Sequence, residues 1–117
     1  MDIPRRILER RRSVRISESF LFKVSHQGRQ VQAITVNLSS HGVLGIVEKD
    51  IPMMSRLDIT LQLPGGASKV VRAKGVVVRK EKDARTGRYL IAIYFSDLKL
   101  SDRKRFEKFI NRYLKTP

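Results

Sequence analysis

The sequence contains no cysteine and no tryptophan, and its only histidines are His26 and His41. Without cysteine there can be no disulfide framework, no thiolate metal site and no cysteine nucleophile. Two histidines are too few for a multi-histidine metal site, so we expect no bound metal. Walker, dinucleotide-binding and nucleophile-elbow motifs are missing too. We therefore expect a protein without catalytic residues and without a cofactor, and not an enzyme.

Long apolar runs are also missing from the sequence. No stretch approaches the roughly 20 apolar residues that a membrane-spanning helix requires. The arginine-rich beginning, residues 5–12, is not followed by the apolar region of a secretory signal. We therefore expect a soluble, cytoplasmic protein with no membrane span. A chain of 117 residues has room for one compact domain.

Positive charge dominates the composition, since 25 Lys and Arg stand against 11 Asp and Glu, for a net charge of +14. Such an excess predicts an anionic partner. The candidates are a nucleic acid, a nucleotide, and an acidic protein or lipid surface. Residues 1–17 carry six of the arginines and few apolar side chains. We expect these residues to form a flexible basic N-terminal arm, and residues 18–117 to form the folded domain.

Beyond the arm, apolar residues mostly alternate with polar ones, which is typical of half-buried antiparallel strands. Glycine, proline and aspartate cluster between the apolar segments, as they do in tight turns. Six short strands at hairpin spacing predict an all-β protein, either a small barrel or a sandwich. The predicted strands are Phe20–Val24, Val31–Leu38, Val43–Val47, Leu57–Leu63, Val70–Lys80 and Tyr89–Phe95.

Over Ser101–Leu114, the spacing of the apolar residues changes from every second residue to the spacing of a helix. Phe106, Phe109, Ile110 and Tyr113 follow one another at helical spacing and form one apolar stripe. Ser101 is a suitable N-cap residue for this helix. Because the stripe needs apolar surface to cover, we expect the helix to pack against the β-structure.

Arginines four residues apart form the first candidate binding motif. Arg11 and Arg15 can converge on one ligand, and Arg10 immediately precedes them. The planar guanidinium fork pairs with phosphate oxygens or with the O6 and N7 atoms of guanine. Arg6 and Arg10 have the same spacing, but we prefer the later pair because of its separation from the second motif. The alternative is a solvated basic tail that binds nothing in particular.

The second candidate motif is the segment Asn37-Leu38-Ser39-Ser40-His41-Gly42 between two predicted strands. Asn37 and Ser39 lie on the same side of an extended chain, so their polar groups can contact one ligand together. Gly42 would allow the backbone to turn and a flat ligand to approach closely. The alternative is an ordinary hairpin turn, because asparagine, serine and glycine are common in turns.

Taken together, the two motifs resemble those of the PilZ domain family. Arg11 and Arg15 match the arginine motif of the family, and Asn37, Ser39 and Gly42 match its second motif. The resemblance implies a six-stranded antiparallel β-barrel with a packed C-terminal helix, acting as a receptor for cyclic di-GMP. It further implies ligand binding by Arg10, with either one ligand or a ligand pair in the site. Signalling through a protein partner or an attached domain is also implied, in processes such as motility or exopolysaccharide production.

A general nucleic-acid-binding barrel is the alternative function, because a small basic barrel describes many such proteins. With only five Phe and three Tyr, however, the chain has few aromatic residues for base stacking. We expect Phe20, Phe22, Tyr94 and Phe95 to lie in the core, and we expect no specific nucleic-acid partner.

Overall fold

The computed structural model describes residues 20–63 and 69–115, and the side chains as far as residue 112. It contains the six expected strands and the expected helix, and several strands are longer than predicted. The predicted arm, residues 1–17, lies outside the described residues. The elements are β1 (Leu21–His26), β2 (Arg29–Ser39), β3 (Gly42–Val47), β4 (Arg56–Gln62), β5 (Val70–Lys82), β6 (Tyr89–Leu98) and α1 (Leu100–Lys115).

The strands close into a barrel in which every neighbouring pair is antiparallel. Their order is β1-β2-β3-β6-β5-β4, and the pairing of β4 with β1 completes the ring. The β1–β2 hairpin turns at Gln27 and Gly28, whose φ angles of 52° and 78° suit a two-residue turn between twisted strands. Of the two predicted architectures, the barrel is confirmed and the sandwich is wrong. Closure of the sheet removes the free edges that a sandwich would expose.

The core lies inside the barrel and contains the alternate side chains of all six strands. Phe22 and Phe95 belong to it as expected, and Phe20 packs half-buried against it. Tyr94, in contrast, is 53% exposed, so its assignment to the core is wrong. Each large apolar side chain that is fully buried contributes about 1.5 to 3 kcal/mol to folding. The inside of the barrel is therefore packed with side chains, and any ligand has to bind elsewhere.

Helix α1 closes one end of the barrel with its apolar stripe. Phe106 is 1% exposed and lies edge-to-face against Phe95, with 6.0 Å between the ring centroids. Phe109 contacts Phe20 in the same manner at 5.7 Å. The predicted packing of the helix is confirmed. Within the described ranges, no helix has the length and apolar character that crossing a membrane requires.

The first turn of α1 is bonded to the beginning of β5. The Asp102 carboxylate accepts a hydrogen bond from the Arg72 backbone N–H at 3.3 Å and lies 3.4 Å from the Arg105 guanidinium. The helix begins at Leu100. Ser101 therefore lies inside the first turn, and its predicted role as N-cap is wrong. Side-chain hydrogen bonding from Asp102 instead ties this end of the helix to the barrel.

A β-bulge in β2 determines which way the end of that strand faces. The register passes from Thr35 opposite Gly45 to Asn37 opposite Leu44, which leaves Val36 unpaired. Thr35 is buried before the bulge and Leu38 is buried after it, so the inward positions change parity. If Val36 were paired and the strand had no bulge, strict alternation would place Asn37 on the same side as Thr35, inside the barrel. The bulge therefore turns the side chain of Asn37, and that of Ser39 with it, to the outside.

Candidate ligand-binding site

A pocket of about 290 Å³ lies on the outer face of the barrel beside the β2–β3 turn. Polar side chains of the second candidate motif form one wall, and apolar side chains of β5 and β6 form the opposite wall. The structure thus brings Asn37, Ser39 and Gly42 together in one pocket. Its lining residues are Asn37, Ser39, His41, Gly42, Val43, Leu44, Val78, Ala92, Ile93 and Tyr94.

The register of the strands sets the distance between the two walls. Ser39 pairs with Gly42, and Gly42 in turn pairs with Tyr94 on β6. Because paired strands lie about 4.8 Å apart, the backbones at Ser39 and Tyr94 are separated by about 10 Å. Only the backbone of Gly42 lies between these two residues. The pocket therefore has a floor without a side chain at its centre.

Gly42 is required by the packing of the barrel itself. A Cβ atom built on it would lie 2.2 Å from the Ile93 carbonyl oxygen, which belongs to the backbone of β6. Its own φ angle is not in the left-handed region, so the expected role of Gly42 in turning the chain is wrong. Ser40 and His41 form the turn instead. The backbone of β6 does approach Gly42 closely.

The polar wall offers hydrogen-bonding groups that are only partly used. The Ser39 hydroxyl accepts a hydrogen bond from the His41 backbone N–H at 3.3 Å, and lies 3.5 Å from the Gly42 carbonyl oxygen. The latter distance is at the limit for a hydrogen bond, so the hydroxyl proton is available to a ligand. The Asn37 amide, half-buried, has no hydrogen-bond partner among residues 20–63 and 69–115. Both side chains can therefore bind a polar ligand.

The chain enters the barrel next to this pocket. The Phe20 backbone N–H donates to the Thr35 hydroxyl at 2.7 Å, and the Thr35 N–H donates to the Phe20 carbonyl oxygen at 2.8 Å. Thr35 is fully buried and lies two residues before Asn37. The arginines of the first motif precede this entry point. Arg10, Arg11 and Arg15 themselves lie outside the described residues.

Tyr94 is the pocket residue that sequence reasoning missed. Ile91, Ile93 and Phe95 point into the barrel, so period-two alternation directs the side chain of Tyr94 to the outside. The same alternation directs Ala92 outward, and both residues line the pocket. The alternation of the sequence thus indicates the outward position of Tyr94, whereas its aromatic character alone favours the core.

Other charged side chains form ion pairs on the outer surface of the barrel. Arg79 pairs with Glu81 and Lys80 pairs with Asp50, both at 2.6 Å, near the barrel end opposite α1. Exposed pairs of this kind contribute about 0 to 1 kcal/mol each. In the part of the chain that the structure describes, no group of three His, Asp or Glu side chains could hold a metal ion.

A closed six-stranded antiparallel barrel with a C-terminal helix packed on one end defines the chain as a small β-barrel domain. The PilZ domain family matches residues 9–112, which is most of the chain, and the protein therefore belongs to this family. The match includes Arg10, Arg11 and Arg15 as well as the pocket. No curated protein matches the chain.

Solved structures with the same fold include two PilZ domains and an inhibitor of motility. The Bacillus subtilis inhibitor of motility, MotI/DgrA, has a TM-score of 0.73 and 16% identity, over 89% of this chain and 51% of its own. The PilZ domain of YcgR from Escherichia coli, solved with cyclic di-GMP, has a TM-score of 0.61 and 17% identity, over 91% of this chain and 95% of its own. The PilZ domain of CeSA from a cellulose-synthesizing bacterium has a TM-score of 0.59 and 18% identity, over 87% of this chain and 99% of its own. At these identities the likeness shows the fold alone, and the chain spans about half the length of MotI.

Proposed function

We propose that this protein is a cyclic di-GMP receptor without catalytic activity. In this proposal, Asn37, Ser39 and the bare backbone at Gly42 hold the ligand, and Arg10, Arg11 and Arg15 bind it from the other side. Membership of the PilZ family and the ligand named for the YcgR domain support the choice of ligand. The observation that carries the proposal is the pocket itself, where the polar side chains of the second motif meet beside the entry of the chain.

The chemistry of the pocket suits such a ligand. Cyclic di-GMP has two phosphates and two guanines, and so combines anionic groups with flat bases that carry polar edges. Arginine can pair with a phosphate or with the O6 and N7 atoms of guanine, and the Asn37 amide and Ser39 hydroxyl both donate and accept hydrogen bonds. The pocket is too small to enclose the whole ligand, so the arginines would cover the part that remains exposed.

Chain length allows Arg15 to reach the pocket. Phe20 is five steps along the chain from Arg15, and an extended chain spans at most about 3.5 Å per step, or about 17 Å in total. The bond between Phe20 and Thr35 fixes the start of that span two residues from Asn37. Arg10 and Arg11 are further along the same segment and can reach the opposite side of a bound ligand. The spacing of the two motifs along the chain is therefore compatible with one joint site.

Ligand binding would order the N-terminal arm and so produce the signal. Six arginines within residues 1–17 repel one another unless an anion neutralises them. Charge-assisted hydrogen bonds of about 1.5 to 3 kcal/mol each would offset the conformational entropy lost on ordering. The changed surface would then be presented to a protein partner or an attached domain, in motility or biofilm regulation.

Calorimetric titration with cyclic di-GMP tests the proposal directly, with GTP and a short RNA as competing ligands. Replacing Arg11 or Arg15 by Ala removes a bidentate contact and should weaken binding by about 1 to 3 kcal/mol, or about 5- to 150-fold. Ser39→Ala should weaken binding without unfolding the barrel. Arg29→Ala is the matched control, because Arg29 lies in the β1–β2 hairpin at the other end of the barrel. Equal binding by all four variants and the unchanged chain would contradict the assigned site.

Salt dependence distinguishes this proposal from general nucleic-acid binding. Binding that neutralises many phosphates weakens with a log-log slope of about −0.9 per phosphate, whereas a ligand with two phosphates should give a shallow slope. Among the aromatic side chains that the structure describes, Tyr94 alone is more than half exposed. A single exposed ring is a poor platform for a run of bases. A steep slope with RNA and no heat with cyclic di-GMP would favour the alternative.

A further inference from the structure

We propose that the aromatic ring of Tyr94 stacks on a guanine of the ligand and forms the wall of the pocket that selects a flat base. This inference rests on the proposed function, because it concerns the same pocket and the same ligand. It assigns a binding role to a residue on β6, outside both sequence motifs, and so adds a third strand to the recognition surface.

The exposure of Tyr94 is the first observation behind this proposal. Its ring is 53% exposed although β6 is flanked by β3 and β5 and its neighbours Ile93 and Phe95 are buried. Its hydroxyl makes no hydrogen bond to any side chain or backbone group in the described ranges. The ring is thus fixed at its backbone by strand pairing and is uncovered on the side that faces the pocket.

The distance between the walls is the second observation. Stacked aromatic rings have their centroids about 4.5 to 7 Å apart. A base stacked on Tyr94 would therefore lie above Gly42, the next residue across the sheet, where no side chain obstructs it. From that position its polar edge is within reach of Ser39, one further strand away.

Val78 extends the apolar wall next to Tyr94. The β5–β6 register passes from Val77 opposite Ile93 to Arg79 opposite Ala92, so Val78 lies unpaired in a bulge. Its side chain is 48% exposed and lines the same pocket. One wall is therefore apolar and aromatic, and the opposite wall carries an amide and a hydroxyl. A purine base, with apolar faces and polar edges, has the matching distribution of groups.

Substitutions at Tyr94 separate stacking from other contacts. Removal of an aromatic stacking partner costs about 5- to 150-fold in affinity for a base, so Tyr94→Ala should weaken cyclic di-GMP binding within that range. Tyr94→Phe keeps the ring and should bind within about threefold of the unchanged chain. If Tyr94→Phe binds as weakly as Tyr94→Ala, the hydroxyl makes the contact and stacking is wrong. Unchanged binding by Tyr94→Ala overturns the proposal outright.

Tyr94→Trp adds a direct optical readout, because the chain has no tryptophan of its own. Stacking on guanine should quench the emission of this single tryptophan as cyclic di-GMP is added. Tyr89→Trp is the matched control, since Tyr89 lies on the same strand but near Lys80 and Lys82, away from the pocket. Quenching in the control and not at position 94 would contradict the proposal. Far-UV circular dichroism of each variant verifies that the barrel is folded.

The two proposals fail in different ways. If Ser39→Ala loses affinity and Tyr94→Ala does not, the receptor function stands and stacking is wrong. If the unchanged chain binds no cyclic di-GMP in calorimetry, the receptor function is wrong and the stacking proposal fails with it.

Discussion

Replacing Gly42 by Ala should destabilise the barrel through a backbone collision. The added Cβ would lie 2.2 Å from the Ile93 carbonyl oxygen, so β3 and β6 have to separate locally by about 1 Å to restore an ordinary contact. Overpacking of this kind costs about 1 to 3 kcal/mol. The neighbouring hydrogen bond from the Phe95 N–H to the His41 carbonyl oxygen, 2.9 Å long, should weaken and add about 0.5 to 1.5 kcal/mol. We expect a total loss of about 1.5 to 4.5 kcal/mol in the free energy of unfolding.

Urea unfolding followed by far-UV circular dichroism measures this loss. With an m-value of about 1.5 kcal/mol per M, the midpoint should fall by roughly 1 to 3 M. Gly28→Asn is the matched control, because a Cβ there meets no atom within 4 Å and asparagine tolerates its positive φ. The control should change stability by no more than about 0.5 kcal/mol.

The result decides why a glycine is needed at position 42. If Gly42→Ala unfolds at the same urea concentration as the unchanged chain, β6 is not held against Gly42 as the structure has it. The floor of the pocket would then be adjustable, and the separation of its two walls would lose its physical basis. If the loss is as large as expected, weaker ligand binding by this variant has to be corrected for the fraction of unfolded chain.

Three further changes test the fold around the site. Phe106→Ala empties a fully buried ring position under the helix and should cost about 3 to 5 kcal/mol by urea unfolding. Asp102→Ala leaves the Arg72 N–H without its acceptor and should cost about 1 to 3 kcal/mol, whereas Glu107→Gln on the exposed helix surface should have little effect. Deletion of Val36 removes only the bulged residue, so that Asn37 follows Thr35 directly and still faces outward while Leu38 faces inward; the variant should therefore still unfold cooperatively, and loss of cooperative unfolding would refute the role given to the bulge.

The alternation of apolar residues was enough to predict six strands, and helical spacing was enough to predict the stripe of α1. These patterns are local, because each reports only on which side of its own element a residue lies. The same local rule placed Asn37 and Ser39 on one side of an extended segment, and it would have directed Tyr94 outward had it been applied there. To this extent the elements, and one wall of the candidate site, are properties of the sequence alone.

Tertiary structure decided what depends on residues distant in the chain. The bulge at Val36 is visible only in the pairing of β2 with β3, yet it determines whether Asn37 faces the pocket or the core. Gly42 and Tyr94 become neighbours because β6 pairs with β3, more than forty residues earlier in the sequence. Close approach of two backbones and the order of strands in a ring are set by packing between elements, for which local periodicity contains no information.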